Sequence, residues 1–98
     1  MLENAKITVD LDTDWVNGMR GSFQAGFRIT IENLSAEQIE RMKDPDSTLW
    51  DRLFDDDLFY KAIDKHVPKK WNVKGEMVDS YEVVDNKIYV AYDYEFKV

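Results

Sequence analysis

The sequence predicts an α+β domain: a four-stranded antiparallel sheet made of two β-hairpins, with two or three short helices inserted between the hairpins and packed on one face. Three observations lead there. Apolar residues alternate strictly towards both ends of the chain, in "KITVDLD", "FQAGFRITIE" and "KIYVAYDYEFKV". The middle of the chain has helical spacing and a helix-start signature. Within "LFDDDLFY", Leu53 to Tyr60, the apolar side of the helical pattern reverses, so one straight helix would have to bury both of its sides.

In the first strand Ile7, Val9 and Leu11 point one way, and Lys6, Thr8, Asp10 and Asp12 point the other. The second strand turns Phe23, Ala25, Phe27, Ile29 and Ile31 inward. The two should form a hairpin around "VNGM". A strict two-residue Asn17-Gly18 turn would set Ile7 opposite Arg28, with the apolar faces on opposite sides of the sheet. Pairing Ile7 with Ile29 and Val9 with Phe27 keeps those faces together. It requires a three-residue loop or a bulge, for which Gly18, Gly21 and Gly26 are the natural places.

"NLSAEQI" starts a helix. Ser35 is its N-cap, Gln38 completes a capping box, and Leu34 with Ile39 fits a hydrophobic staple. This helix should end near Lys43. Asp44 is expected to cap the next one, with Pro45 at its first position. Leu49, Trp50, Leu53 and Phe54 share one side of the pattern; Leu58, Phe59, Ala62, Ile63 and Val67 centre on the opposite side. The break is placed at Asp55–Asp57, where an aspartate can cap a third helix and its charge favours the positive helix end. Pro68 stops that helix. "PKKWNVKGE" reads as a loop, and "MVDSYEVV" and "KIYVAYDYEFKV" as a second hairpin around Asp85-Asn86. On the last strand Ile88, Val90, Tyr92, Tyr94, Phe96 and Val98 face one way, and Tyr89, Ala91, Asp93, Glu95 and Lys97 the other.

Ninety-eight residues make one domain, residues 1–98. A content of 44% hydrophobic and 13% aromatic residues is enough for a core and too aromatic for a disordered acidic tail. Cysteine is absent, which excludes disulfides and thiolate metal sites. The N-terminal "MLENAKITVDLD" has no apolar signal core, and no apolar run approaches transmembrane length, so a cytoplasmic location is expected.

The net charge of −7 is not spread evenly. Asp10, Asp12 and Asp14 put −3 into residues 10–14. Asp44, Asp46, Asp51, Asp55, Asp56 and Asp57, against Arg52, put −5 into residues 44–57. The other 79 residues come to +1. Direct binding to nucleic acid or to an anionic membrane is therefore not expected.

Candidate chemistry is sparse. "DLDTD" departs from a calcium loop, because Trp15 stands where glycine is needed and no Glu closes the loop. On an extended strand Asp10 and Asp12 lie about 6.5–7 Å apart, so that pair alone does not easily hold one ion. His66 is the single histidine, so any triad, acid–base or histidine-metal chemistry would depend on it, and its place at a helix end has a structural explanation. No phosphate-loop or dinucleotide fingerprint occurs. The expectation is a chain that is not an enzyme and takes no cofactor or metal. Trp50 sits on an apolar helical stripe and reads as core. Trp15 and Trp71 are candidates for exposed anchors.

Two resemblances accompany this reading. "DWVNGMRGSFQAGFRITIENLS", Asp14 to Ser35, is similar to the opening of family 2 and related cellulose-binding modules. It covers under a quarter of the chain, and those modules are all-β, so what is shared is a hairpin pattern. It implies the alternative of a carbohydrate or other small-ligand module using Trp15, Trp71 and the tyrosines. In size, charge and organisation, though not in any motif, the chain also resembles small phage-encoded inhibitors of bacterial defence, anti-CRISPR proteins among them, and acidic immunity proteins of nuclease toxins. That likeness implies host cytoplasm as the location.

Capping needs one carboxylate per helix start, and six aspartates in 14 residues exceed that need. Set among large apolar residues, the surplus suits docking to a basic protein groove. The leading expectation is a non-enzymatic acidic protein-binding domain, a stoichiometric inhibitor or nucleic-acid mimic of a nuclease or other basic nucleic-acid-handling protein. Its candidate binding residues are Asp10, Asp12, Asp14, Asp44, Asp46, Asp51, Asp55, Asp56, Asp57 and Trp15. A structural subunit that pairs through an open edge at the long last strand is a further alternative.

Overall fold

Among the described residues, seven elements follow one another: β1 (Lys6–Asn17), β2 (Ser22–Glu32), α1 (Ala36–Met42), α2 (Thr48–Phe54), α3 (Asp57–Asp64), β3 (Asn72–Val84) and β4 (Lys87–Lys97). The computed structural model describes residues 2–17, 22–67 and 72–97, without the side chains of residues 12–17, 22–24, 72, 74 and 97. The strands form one antiparallel sheet in the order β1-β2-β4-β3, so the predicted α+β architecture is the observed one.

Alternation places the core on one face of this sheet. Ala25, Phe27, Ile29 and Ile31 of β2 and Ile88, Val90, Tyr92, Tyr94 and Phe96 of β4 are all buried. Ile39 and Met42 of α1, Leu49, Trp50 and Leu53 of α2, and Phe59 and Ile63 of α3 join the same cluster. A chain of ring contacts ties the helices to that face. Trp50 lies 4.4 Å from Tyr81 of β3, Phe54 lies 5.8 Å from Phe59, and Phe59 lies 5.7 Å from Tyr92. The series continues through Tyr94 to Phe27 and Phe96, at 5.4 and 5.7 Å. Edge-to-face rings of this kind add about 0.5–1.5 kcal/mol per pair beyond burial.

Several predicted details differ from the structure. In the first hairpin Ile7 pairs with Ile31 and Val9 with Ile29, two residues further along β2 than predicted. The apolar faces stay together, as required. Next to the turn Val16 pairs with Gln24, four residues beyond the predicted pairing, and two extra residues in β1 between Asp12 and Val16 bring the offset back to two. The turn residues 18–21 lie outside the described residues.

Asp44 does not cap α2. Its carboxylate accepts from Asp46 N at 3.0 Å and closes a turn, leaving Ser47 as the N-cap, with Oγ accepting from Leu49 N. Residues 72–76 are strand rather than loop, because β4 runs on to Lys97 and pairs Val73 with Phe96 and Gly75 with Glu95. The last strand is consequently interior, and the edges are β1 and β3. The apolar pattern predicts Leu58 on the inward side of α3, but it is 39% exposed; the inward residues are Phe59 and Ile63, one turn apart. The α-helix itself ends at Asp64, before His66 and Val67.

Other details are as predicted. Ser35 and Gln38 form the reciprocal capping box, and the helix break falls within Asp55–Asp57. Asp85 and Asn86, at φ 49° and 62°, form a tight left-handed turn between β3 and β4.

Candidate functional site

Residues 44–57 form a scaffolded acidic surface. Its first part is the turn after α1. The buried Trp50 indole donates to the carbonyls of Met42 and Asp44, at 3.0 and 3.2 Å, and so ties the turn to the core. Asp44 and Asp46 project from that turn into water, and Asp51 is exposed on α2.

The second part is the triple aspartate. Phe54 before it, and Phe59 and Tyr60 after it, dip towards the core. The Tyr60 hydroxyl donates to the Phe54 carbonyl, one of the groups that a helix end leaves unpaired. With both shoulders drawn inward, the turn between them projects outward. Asp55 and Asp57 are exposed, and so is Leu58 beside them.

Asp56 differs from its neighbours. It is half-buried and caps α3, with Oδ1 accepting from Leu58 N at 3.0 Å. Its Oδ2 accepts from Leu2 N at 3.1 Å, which pins the start of the chain to the helix junction. Burial pushes its carboxyl up, but these N–H donors together with the positive charge of the chain terminus hold it below the usual carboxylate range.

Asp44 closes its own turn by accepting from Asp46 N, and Asp46, Asp51, Asp55 and Asp57 have no such role. Among the described residues, no Lys, Arg or His stands within ion-pair distance of Asp44, Asp46, Asp51, Asp55 or Asp57. A depression of about 340 Å³ lined by Gln38, Leu49, Arg52, Asp55 and Asp56 opens beside the turn.

Asp10 lies elsewhere. It pairs with Arg28 on the sheet face turned away from the helices. There it borders a depression of about 460 Å³ with Thr30, Ser80, Glu82 and Tyr89. The structure therefore does not bring Asp10 together with the helical aspartates. Asp12, Asp14 and Trp15 belong to β1, but their side chains lie outside the described part, and Trp71 lies outside it altogether. His66 is exposed after α3. Among the described residues, no three His, Cys, Asp or Glu side chains converge on a possible metal site, and no helix is long and apolar enough to cross a membrane.

Sequence reasoning missed two contacts: the Asp56–Leu2 bond, which spans 54 positions and has no local signal, and the Tyr60 clasp. The clasp had a faint one, since a tyrosine six residues after Phe54 can fold back on a helix end. No family model, no curated protein and no solved structure matches this chain. Function has to be argued from the residues themselves.

Proposed function

We propose that this chain is a non-enzymatic acidic docking domain. It binds a basic groove of a nucleic-acid-handling protein and inhibits it stoichiometrically by occupying the place of the nucleic acid. One observation carries the reading: Asp51, Asp55 and Asp57 are exposed, no cation neutralises them among the described residues, and they stand on helix ends held by interlocked rings. Unpaired like charges repel one another, so their concentration here needs a benefit to offset that cost. A positive partner supplies it by long-range steering. Leu58, exposed next to Asp57, is the apolar anchor that steering alone does not provide. Asp56 is excluded from the binding set because its oxygens are used by Leu58 N and Leu2 N.

The test is a pull-down from bacterial lysate with wild type and with the Asp51→Asn/Asp55→Asn/Asp57→Asn variant, read by mass spectrometry at low and high salt. The expected result is a basic nucleic-acid-binding protein held by wild type at low salt and released by the variant. Equal capture by both proteins would remove the acidic surface from the account.

A further inference from the structure

The two edges of the sheet are not equivalent. α3 lies against β1, whereas the extensive backbone neighbour of β3 is β4 alone. Among the described residues, no backbone hydrogen bond leads from Gly75–Val84 away from the sheet. The outward N–H and C=O groups of β3 are thus available to a further strand.

A pocket accompanies this edge on the helical side. It holds about 350 Å³ and is lined by Met42, Pro45, Trp50, Tyr81 and Val83, with Lys43 and Glu82 beside them. The rings of Trp50 and Tyr81, 4.4 Å apart and tilted by 45°, give it an aromatic wall. Side chains of an added strand alternate between the two faces of a sheet, so every second one would reach this side.

Charge selects the occupant. Glu76, Asp79 and Glu82 are exposed along β3, and none of the described β3 side chains is a cation. Lys43, the nearby cation, is already paired with Glu40 at 2.8 Å. A second copy pairing antiparallel about Asp79 would set Asp79 against itself and bring Glu76 and Glu82 of both copies to one shared edge. The register shift between Val78 and Ser80 further disturbs a flat self-pairing edge. A basic segment meets attraction where a second copy meets repulsion.

We propose that β3 is a strand-addition site for an extended basic segment of a partner protein, with one of its apolar side chains seated in the Trp50–Tyr81 pocket. Main-chain bonds to the edge supply affinity, and the pocket and the three acids supply selectivity. The site shares the basic character of the partner with the proposed function, but none of Asp51, Asp55, Asp57 or Leu58.

The test is selection of binders from a displayed library of random decapeptides, followed by amide hydrogen exchange on the complex with the winning synthetic peptide. Enriched peptides should be basic and alternating, and should slow exchange across Gly75–Val84. A Glu76→Lys/Asp79→Lys/Glu82→Lys variant should bind the winner at least about tenfold more weakly. The shape-conserving Glu76→Gln/Asp79→Asn/Glu82→Gln variant should lose affinity in the same direction, whether or not the lysine variant folds. The Asp51→Asn/Asp55→Asn/Asp57→Asn variant should bind it as wild type does. Failure to enrich any peptide, winners without basic character, slowed exchange confined to other elements, or a wild-type dimer that protects β3 would each overturn the proposal.

Discussion

Asp55, Asp56 and Asp57 are chemically identical neighbours with different work, and the backbone separates them. Asp56 takes the extended conformation of an N-cap, which turns its carboxylate onto Leu58 N and Leu2 N; the other two point into water. Replacing Asp56 with Ala should cost about 1–2 kcal/mol, the range of a lost cap. Asp55→Ala and Asp57→Ala should stay within about 0.5 kcal/mol, as exposed substitutions do. Urea denaturation of the three variants checks this. The pH dependence has a definite sign. The folded carboxyl of Asp56 titrates below its ordinary value of 3.8, so its charge contributes fully above that value and is lost as the pH falls through the lower folded one. The gap in unfolding free energy between wild type and Asp56→Ala should therefore narrow on acidification. A gap that widens would contradict the assignment.

At the scale of elements, what was legible in the sequence was pattern, and what was not was count. The reversal of the apolar stripe within "LFDDDLFY" located the break between α2 and α3, because a helix cannot bury opposite sides against one sheet face. Parity of alternation required Ile7, Val9, Ile29 and Ile31 on one face but left the register open by two residues, since any even shift of pairing leaves parity unchanged. Asp44 met every local rule for a cap, yet its carboxylate is taken by Asp46 N in a turn that the Trp50 indole stabilises from six residues away. The start of β3 carries no local strand signal, and its partner, the far end of β4, is distant in sequence. The β3–β4 turn was readable in full: Asp85 and Asn86 both tolerate positive φ. Asn86→Val should destabilise by about 1–2 kcal/mol, the cost of a left-handed position for such a residue, whereas Asn86→Gly should not. Thermal unfolding monitored by circular dichroism distinguishes the two. Equal stability of both variants would contradict the turn geometry.

Over the whole molecule, the candidate site was legible as a charge count but not as a place. The sequence located two acidic segments. The fold puts Asp10 on the sheet face and the helical aspartates on the opposite side, so they cannot act as one patch. The molecule is elongated, 45 × 23 × 21 Å, with the helices over one face of the sheet and β3 along one edge. Two surfaces result, the helix-borne aspartates and the β3 edge, and both favour positive charge. Association kinetics test the steering role of the first most directly. The rate constant for binding the captured basic protein should be measured from low to high salt for wild type and for Asp51→Asn/Asp55→Asn/Asp57→Asn. Electrostatic steering predicts a wild-type rate that falls about tenfold or more as added salt shortens the screening length, and a variant rate that is slower at low salt and nearly flat. Wild-type and variant rates that coincide at every salt concentration would contradict the account.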